Sequence, residues 1–504
     1  MLIAEYFTDK NIFITGGTGF MGKVLIEKIL RSCPAVGDIY ILIREKKGKS
    51  IEERIELIQN LPLFQLLKKT NPDAFKKMIP IRGDVTEIDL GLSPDDRKML
   101  IENVNIIYHT AASVRFDDFL KDAILINIRG TREVSKLALD TKNLDFFLHV
   151  STTFCNTDKV VIEEKLYPPH GDWRSTIKLA EECDEALLCA LSEKYIRPLP
   201  NTYTFAKSLA EHVVNDLCFG KIPVLIARPS VVVSTITEPI QGWNANFNGP
   251  VGLLVAGGKG ILRTTFGNPF ETTDYIPVDI AIKMIIMATA KYGGIRGTEN
   301  IEVLNLAQGN IGRLRLGELV QMGRELILDT PFSTIMWYPR FSITNCWYNF
   351  YIQVVLFHMI PAFFLDLMLR LVGKKPMLFS LQRKIYIANV ILQPFVSFTW
   401  IFCNDKSMAL RDSVTEEGFT EDLSMSMDRV YDYFKKSKWG AALYILKEDF
   451  DFTRIQSRKN LRRFWYLDIA SKSILFCFLI WLLTFKLQII PHIFTAVQNY
   501  YTNL

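Results

Sequence analysis

Tyr203 and Lys207 are two residues whose types and spacing could transfer a proton near a carbonyl group. They are four positions apart, so a helix would present both side chains on one face. A lysine charge favours the phenolate, and it is therefore expected to lower the pKa of Tyr203. Such a tyrosine can protonate a carbonyl oxygen while a hydride arrives at the carbon. The alternative is an ordinary pair on a helix surface.

Position along the chain separates this pair from two others with the same spacing, Tyr6/Lys10 and Tyr431/Lys435. Only Tyr203 follows the fifth predicted strand and precedes the sixth. The C-terminal edge of a parallel sheet is where ligands bind. We therefore predict that Tyr203 and Lys207 are catalytic.

The fifth predicted strand ends in three hydroxyl-bearing residues, Ser151, Thr152 and Thr153. Thr152 is our choice for polarising the carbonyl group, although alternation along a strand leaves the other two as rivals. Asn127, on the helix before this strand, is predicted to hold a proton-relay water. Its alternative is an amide on the helix surface. His109, at the end of the fourth strand, is expected to be a core residue and not a catalyst.

A glycine-rich turn follows the first predicted strand and indicates a diphosphate site. Glycine allows backbone N–H groups to approach a diphosphate, and the following helix N-terminus adds a partial positive charge. An ordinary glycine turn is the alternative. Beside such a cofactor, Lys207 is expected to bind the nicotinamide ribose. The predicted cofactor-binding residues of the turn are Thr15, Gly16, Gly17, Thr18, Gly19, Phe20, Met21 and Gly22.

Residues after the next three strands extend this predicted site. Arg44 lies about twenty residues beyond the glycines, where it suits the 2′-phosphate of NADPH. Glu45 weakens that argument, and a solvated charge is the alternative. Asp84 and Val85 are predicted to reach the adenine edge, or to cap a helix. Ala111 lies in a segment of small residues that would let the cofactor approach the sheet, with simple helix–sheet packing as the alternative.

Short apolar runs alternate with helical periods through the first 300 residues. Strands buried on both faces and separated by helices predict a doubly wound parallel sheet of the Rossmann type. We assign residues 1–335 to this NADP-binding domain, with substrate-side elements at about 235–335. The predicted strands are residues 11–15, 39–43, 78–82, 104–108, 146–150 and 224–228.

Aromatic and aliphatic stretches replace this alternation past about residue 340, and they predict a separate, mostly helical domain over residues 340–455. The candidate helices are Tyr348–Leu371, Lys384–Phe402, Met425–Lys435 and Trp439–Leu446.

A basic stretch precedes the uncharged segment Ile474–Phe485, which is shorter than the roughly 20 residues of a membrane span. Extension to residue 493 reaches that length but includes Lys486 and Pro491. We predict a membrane-anchoring or transmembrane helix at 473–493, with an interfacial or packed helix as the alternative. The basic flank would keep the catalytic domain in the cytosol. Tyr351–Arg370 is predicted to be an interfacial or substrate-sheltering helix.

Composition excludes several classes of function. A chain of 504 residues is too long for a single hydrophobic core, so we expect two or more domains. A net charge of +5 is small for this length and gives no basis for nucleic-acid binding. The eight scattered cysteines contain no Cys-x-x-Cys pair, so we expect buried thiols and no metal site. The N-terminus has no signal-peptide pattern, which favours a cytosolic catalytic part.

Taken together, these segments resemble the extended short-chain dehydrogenase/reductases and, within them, the eukaryotic fatty acyl-CoA reductases. Four departures from that family's pattern, at Gln241, Ala245, Phe154 and the Tyr431–Tyr433 segment, put the chain-length preference in doubt. The segments that carry the resemblance are residues 15–23, 109–115, 149–152, 201–207, 227–230, 238–243, 248–250, 257–260, 275–279, 358–362 and 400–404.

The resemblance implies reduction of fatty acyl-CoA by NADPH to a fatty alcohol, through an aldehyde and with release of CoA. It also implies a membrane-associated protein with membrane lipid as a partner, in the endoplasmic reticulum or the peroxisome. A homo-oligomer is one of the states that the sequence leaves open. The competing hypotheses are a membrane-associated hydroxysteroid dehydrogenase or epimerase, and an inactive nucleotide-binding scaffold.

Overall fold

The computed structural model describes residues 2–46, 48–247, 249–296, 299–309, 313–420, 427–448 and 454–486, together with residues 495 and 498. The strands are β1 Ile12–Thr15, β2 Ile39–Ile43, β3 Met78–Arg82, β4 Ile106–His109, β5 Phe146–Val150, β6 Val161–Ile162, β7 Val224–Pro229, β8 Val231–Val233, β9 Thr264–Phe266, β10 Tyr275–Pro277, β11 Glu302–Leu306, β12 Ser342–Thr344 and β13 Ile401–Phe402. The helices are α1 Ile3–Tyr6, α2 Phe20–Ser32, α3 Ile51–Gln59, α4 Gln65–Thr70, α5 Pro94–Asn103, α6 Leu120–Ala123, α7 Gly130–Asp140, α8 Trp173–Glu182, α9 Glu185–Tyr195, α10 Thr202–Cys218, α11 Pro250–Gly258, α12 Val278–Tyr292, α13 Leu316–Asp329, α14 Trp347–Val354, α15 Ile360–Leu371, α16 Leu378–Val396, α17 Asp405–Asp412, α18 Met427–Gly440 and α19 Arg454–Trp481.

Seven parallel strands form the central sheet in the order β11-β7-β5-β4-β1-β2-β3. All six predicted strands belong to it, which confirms the doubly wound parallel sheet. The seventh strand, β11, was not predicted. Strand order reverses at β1, and the crevice outside the C-terminal strand ends at such a point is where doubly wound sheets bind ligands.

Alternating side chains on the strands supply two cores, one on each face of the sheet. Ile12 and Ile14 of β1 pack into a cluster with α2 and α12, whereas Phe13 packs into a cluster with α5 and α7. Burial on both faces holds the strands in register, so that Thr15 pairs with His109 and His109 pairs with His149. The C-terminal ends of β1, β4 and β5 therefore lie side by side.

The predicted helix at 348–371 is observed as α14, a π-helical turn and α15, continuous from Trp347 to Leu371. The predicted end of the next helix at Phe402 is wrong, because α16 ends at Val396 and β13 pairs with β6. The predicted break before Trp439 is also wrong: α18 runs through Gly440 into a π-helical turn. Residues 425 and 426 lie outside the described residues.

The residues after 340 share their cores with the first part of the chain in the described structure. Phe395 and Trp400 pack with Phe154 and other residues near β5 and β6. Further along, α18 and the turn after it pack on α11 and α13. The region after residue 340 is mostly helical, as predicted, and it packs against the first part of the chain through these shared cores. Its assignment as a separate domain stays a prediction.

Among the residues that the structure describes, two helical segments are long and apolar enough to cross a membrane, Trp347–Leu371 and Gln456–Phe485. The second contains the first half of the predicted anchor, since α19 and its π-helical extension reach Lys486. Residues 487–493 lie outside the described residues.

All eight cysteines are free thiols. Cys33, Cys155 and Cys218 are buried as expected, whereas Cys189 is exposed, which corrects the expectation of general burial. Among the residues that the structure describes, no group of three or more potential ligands could hold a metal ion.

Candidate active site at the C-terminal edge of the sheet

The glycine turn after β1 lies in close contact with the backbone segment that follows β4. Gly16 has a φ of +77°, and a Cβ there would lie 2.6 Å from the Ala111 backbone nitrogen. Its carbonyl accepts a hydrogen bond from the Gly19 N–H at 2.8 Å, which closes the turn. Gly19 is the N-cap of α2 and offers no side-chain cap, so the first N–H groups of α2 are available to an anion.

The remaining turn residues bring α2 close to the sheet. A Cβ at Gly22 would lie 2.4 Å from the Gly16 carbonyl oxygen, and one at Gly17 would lie 2.6 Å from a methyl carbon of Ile41. Thr18 and Met21 are half-buried on the turn. The turn therefore holds α2 close to the sheet through backbone contacts that a side chain would prevent. Binding of a diphosphate there stays a prediction.

We expect Gly16→Ala to weaken cofactor binding and to destabilise the fold. The added methyl group brings left-handed strain of roughly 1–2 kcal/mol and, because it overlaps backbone atoms, about 1–3 kcal/mol more. Gly48→Ala is the matched control, since Gly48 has a φ of +82° with nothing within 4 Å of the added Cβ. Thermal unfolding and the Kd of the cofactor measure both variants. Equal effects at the two glycines would contradict the close-approach argument.

Two predicted cofactor residues use their side chains elsewhere. The Thr15 hydroxyl lies 2.7 Å from Nδ1 of His109, whose Nε2 lies 3.0 Å from the Thr131 hydroxyl. Burial lowers the pKa of His109 to about 3, so the ring is neutral and structural, as expected. The ring of Phe20 stacks on Trp243 at 5.5 Å. The side chains of these two residues therefore contact other parts of the protein.

Three cationic side chains lie near the end of β2: Lys23, Arg44 and Arg54. Only Arg44 was predicted from the sequence. Arg44 is exposed, and its carbonyl accepts a hydrogen bond from Arg54 of α3. Burial, followed by the charge of Arg54, lowers the pKa of Lys23, which places these two cations near each other. Glu45 pairs with Arg82 at 3.3 Å and is thereby drawn to a neighbouring strand end. Arg54 was missed because it belongs to another element.

Asp84 and Val85 form a turn after β3, and Asp84 does not cap a helix. The Asp84 carboxylate accepts a hydrogen bond from the Thr86 N–H at 3.0 Å and lies 3.8 Å from the Arg44 guanidinium. A Cβ at Gly130 would lie 2.9 Å from the Val85 carbonyl oxygen, so α7 packs closely on this turn. Contact with an adenine ring stays a prediction.

The first turn of α10 presents Tyr203 to the end of β5. Asn201 caps the helix by accepting a hydrogen bond from the Thr204 N–H at 2.9 Å. Burial raises the pKa of Tyr203, and a side-chain hydrogen bond with Thr152 opposes this only in part. The expected lowering of the Tyr203 pKa by Lys207 is therefore wrong in this structure. A phenol with a raised pKa stays protonated and can act as a donor.

The hydroxyl groups at the end of β5 point in different directions, which favours Thr152 among the three rivals. Thr152 is the one that acts on Tyr203, whose pKa it helps to lower, and its hydroxyl accepts a hydrogen bond from the Phe154 N–H at 3.3 Å. Ser151 lies near Glu211, whose pKa it helps to lower, but its buried hydroxyl has no hydrogen-bond partner among the described residues. The Thr153 hydroxyl is buried without a hydrogen-bond partner in the described part of the chain.

A buried ion pair lies one helical turn beyond Lys207. Arg228 donates from Nε and Nη2 to the two carboxylate oxygens of Glu211 at 2.7 and 2.6 Å, and both side chains are almost fully buried. Lys207 donates to the Val150 carbonyl oxygen at 2.7 Å. Burial lowers the pKa of Lys207 to about 8, although Glu211 and Cys155 act to raise it.

We expect kcat/KM to fall as the pH rises through about 8, because the Lys207 ammonium is lost there. The direction follows from the lowered pKa, since a buried lysine deprotonates at a lower pH than a free one. Measurement of kcat/KM for the reduction as a function of pH shows this fall. In Lys207→Arg the side chain keeps its charge over the same pH range, so the fall in kcat/KM should disappear. If kcat/KM of that variant still fell as the pH rises, the group that titrates would not be Lys207.

Asn127 is buried in a π-helical turn, which contradicts the alternative of a helix-surface amide. Its Oδ1 accepts a hydrogen bond from the Ser113 N–H at 2.9 Å, and its Nδ2 donates to the Ser113 carbonyl at 3.1 Å. The side chain thus holds the loop that follows Ala111. A role in proton relay stays a prediction.

An aromatic wall, consisting of Phe116, Phe154, Phe395 and Trp400, lies beside Tyr203. The ring of Phe116 lies 5.6 Å from that of Tyr203 and stacks on Phe395 at 4.9 Å. Phe154 meets Phe395 edge to face at 5.4 Å. Sequence reasoning missed this wall, because Phe395 comes from the end of α16, almost 200 residues after Tyr203.

Two family profiles match the chain, both described as male sterility protein. An NAD-binding domain matches residues 14–285, and a Sterile domain matches residues 357–448. These matches cover the sheet with its glycine turn and Tyr203, and then much of the region after residue 340.

Curated relatives match along almost the whole chain. Fatty acyl-CoA reductase 1 of Rattus norvegicus is 36% identical over 482 residues, covering 95% of this chain and 92% of the relative. Fatty acyl-CoA reductase 1 of Homo sapiens is 35% identical with the same coverage. Fatty acyl-CoA reductase wat of Drosophila melanogaster is 36% identical over 486 residues, again with that coverage.

Solved structures share the fold. The terminal R domain of the myxalamid biosynthetic pathway superposes with a TM-score of 0.57 at 19% identity, covering 87% of this chain and 92% of that domain. The reductase domain of a nonribosomal peptide synthetase from Mycobacterium tuberculosis gives a TM-score of 0.56 at 19% identity, covering 88% and 96%. Given the identity and coverage of its curated relatives, the chain belongs to the fatty acyl-CoA reductase family of oxidoreductases.

Proposed function

We propose that this protein reduces long-chain fatty acyl-CoA to a primary fatty alcohol, using NADPH and releasing CoA through an aldehyde. The observation that carries this proposal is the contact of Tyr203 with the aromatic wall, at the sheet edge that also bears Thr152 and the glycine turn. Polar donors beside an apolar wall suit a carbonyl group at the end of an alkyl chain. The names of the relatives support the same substrate class.

The chain has groups that fit each part of a nicotinamide cofactor. The uncapped N-terminus of α2 and the glycine turn suit the diphosphate. Lys23, Arg44 and Arg54 suit a 2′-phosphate, and Lys207 suits the nicotinamide ribose. When bound, the cofactor supplies the hydride.

Tyr203 and Thr152 then stabilise the charge that develops on the carbonyl oxygen. Because burial keeps the Tyr203 phenol protonated, it donates to the oxyanion, and the Thr152 hydroxyl is a second donor. Collapse of the resulting thiohemiacetal breaks the carbon–sulfur bond and expels CoA. The aldehyde meets the same two donors, and Tyr203 protonates the alkoxide of the alcohol. Each alcohol requires two NADPH and two protons.

We expect the double substitution Arg44→Ala and Arg54→Ala to raise the KM for NADPH about 10²- to 10⁴-fold, since each of the two charge-assisted hydrogen bonds contributes about 1.5–3 kcal/mol. The KM for NADH should change little, because NADH has no 2′-phosphate. Initial rates with both cofactors measure this.

Arg82→Ala is the matched control for this prediction. Arg82 is an exposed cation at the neighbouring strand end, and it is paired with Glu45. Its removal should leave both KM values unchanged. An equal rise for NADPH and NADH in the double variant would contradict recognition of the phosphate.

The reaction is tested with purified full-length protein, hexadecanoyl-CoA and NADPH. Mass spectrometry should detect hexadecanol, and a thiol reagent should detect one CoA for each alcohol. A panel of acyl chain lengths then defines the preference. Absence of NADPH oxidation with every acyl-CoA would overturn the proposal.

We also propose that the C-terminal helix anchors the protein in the membrane of the endoplasmic reticulum or the peroxisome, with the catalytic part facing the cytosol. Exposed apolar side chains along its second half, including Phe476 and Trp481, support this. Its first half is basic and carries Arg462 and Arg463, exposed to solvent. Basic flanks favour the cytosolic side.

A further inference from the structure

The helix from Trp347 to Leu371, which we call the surface helix, buries a single narrow stripe. Its buried residues recur every four positions, at Phe350, Val354, His358, Ala362 and Asp366. This spacing defines one face of a helix. The stripe extends over most of the helix, so the helix lies along the protein body over that length.

Specific contacts hold this stripe against β9 and α16. The ring of Phe350 lies 5.7 Å from that of Phe266 in β9 and stacks on Tyr386 of α16 at 6.2 Å. The His358 ring accepts a hydrogen bond from the Arg263 N–H at 3.3 Å. The surface helix therefore stays attached to the body near both ends.

The opposite face of the surface helix is apolar and exposed. Phe363 is 56% exposed, Phe364 58%, Met368 64% and Leu371 80%. Soluble proteins rarely expose contiguous apolar surface of this kind unless it binds a partner or a membrane. Packing within the described part of the chain therefore leaves this face uncovered.

The turn between the surface helix and α16 adds cations to this face. Asp366 accepts hydrogen bonds from the backbone N–H groups of residues 377–379, at 2.9–3.0 Å, and thereby caps α16. Lys374 and Lys375 are exposed in the turn, beside exposed Val372 and Met377. Asp366 is the only acidic residue in the sequence from 341 to 404, whereas five residues there are basic. An apolar face with a cationic rim suits a bilayer that contains anionic lipid.

The surface helix is also joined to the C-terminal helix through one buried carboxylate. Asp468 of α19 accepts a hydrogen bond from Nε1 of Trp337 at 2.9 Å and lies 3.4 Å from the Arg340 guanidinium. It also lies 3.9 Å from the guanidinium of Arg263, whose backbone contacts His358 of the surface helix. Asp468 precedes the apolar segment of α19 by only a few residues. The two apolar helices therefore adjoin the same part of the body.

We propose that the exposed face of the surface helix and its turn to α16 lie in the cytosolic leaflet of the bilayer that the C-terminal helix anchors. This inference rests on the proposed anchor. The surface helix and α16 together connect the bilayer with the candidate active site, because Phe395 at the end of α16 stacks on Phe116, which contacts Tyr203.

Photo-crosslinking in vesicles tests this docking face. Full-length protein with p-benzoylphenylalanine in place of Phe364 is reconstituted into phosphatidylcholine vesicles containing phosphatidylserine, irradiated and analysed by mass spectrometry. The matched control replaces Leu57 of α3, which is 49% exposed, and a third protein replaces Phe478 of α19, which is 52% exposed. We expect lipid adducts at 364 and 478, each about tenfold above the yield at 57.

Three results would overturn the proposal. If position 478 crosslinks to lipid while position 364 does not, the anchor stands and the docking face is wrong. If position 364 crosslinks to a second copy of the chain, the face is a dimer interface. Absence of lipid adducts at both positions would overturn the anchor and the docking face together. Acyl-CoA reduction is measured on the same preparations, so that failure of the proposed reaction is seen separately.

Discussion

Tyr203→Phe is expected to lower kcat by about 10²–10⁴, the contribution of a positioned proton donor. The substitution removes the phenol hydroxyl, whose pKa Thr152 helps to lower, and leaves the ring in contact with Phe116. The cofactor residues are unchanged, so the Kd for NADPH should stay within about twofold of the parent value. Stopped-flow reduction rates and fluorescence titration with NADPH measure the two quantities.

Tyr195→Phe is the matched control for this expectation. Its hydroxyl also bonds with a threonine hydroxyl, that of Thr176, at 2.9 Å, but it lies on α9 away from the strand ends. Loss of that bond should leave kcat unchanged. A Tyr203→Phe protein with the parent kcat would remove Tyr203 from the mechanism.

Glu211→Leu is expected to destabilise the protein by about 3–5 kcal/mol, because it leaves a buried guanidinium without its counter-charge. Arg228 is fully buried and directs two donors at the Glu211 carboxylate. The double variant Glu211→Leu and Arg228→Met removes both charges and should recover much of this loss. Urea unfolding of the three proteins measures the difference.

Glu193→Leu provides the comparison with an exposed ion pair. Glu193 pairs with Arg197 at 2.8 Å, but both side chains are mostly exposed. Solvent screens such a pair, so its removal should change the unfolding midpoint little. If the double variant at 211 and 228 were less stable than Glu211→Leu alone, the argument from an uncompensated buried charge would be wrong.

The parts of the site that the sequence predicted are those built from local segments. The glycine turn joins β1 directly to α2, and Tyr203 and Lys207 share one helix, so their spacing defined their geometry. Arg54 and Phe395 were missed because they reach the site from other elements. Nothing in the spacing of α3 or α16 indicates that their side chains approach Arg44 or Tyr203.

The fold shows the same division between local and distant information. Six strands of the sheet are apolar runs that follow each other with helices between, and all six were predicted. The seventh, β11, carries Glu302 and Asn305 among its five residues, and it is defined by pairing with β7. The two-residue strand β13 likewise exists through its pairing with β6. Such short segments have too little periodicity to be recognised alone.

The pKa of Tyr203 was mispredicted for a physical reason. Helical spacing indicated that Lys207 shares a face with Tyr203, and attraction between the two groups would lower the phenol pKa. In the structure the Lys207 ammonium donates to the Val150 carbonyl, and burial dominates at Tyr203. Burial depends on contacts such as that with Phe116, which spacing does not reveal.

The most direct test of the central claim follows hydrogen from cofactor to product. NADPH that carries deuterium at both C4 positions is incubated with hexadecanoyl-CoA and the full-length protein, and the alcohol is analysed by mass spectrometry. We expect two deuterium atoms at C1 of hexadecanol, and an alcohol yield that falls with Tyr203→Phe. An alcohol without deuterium at C1, or the same yield from the Tyr203→Phe protein, would contradict hydride transfer at this site.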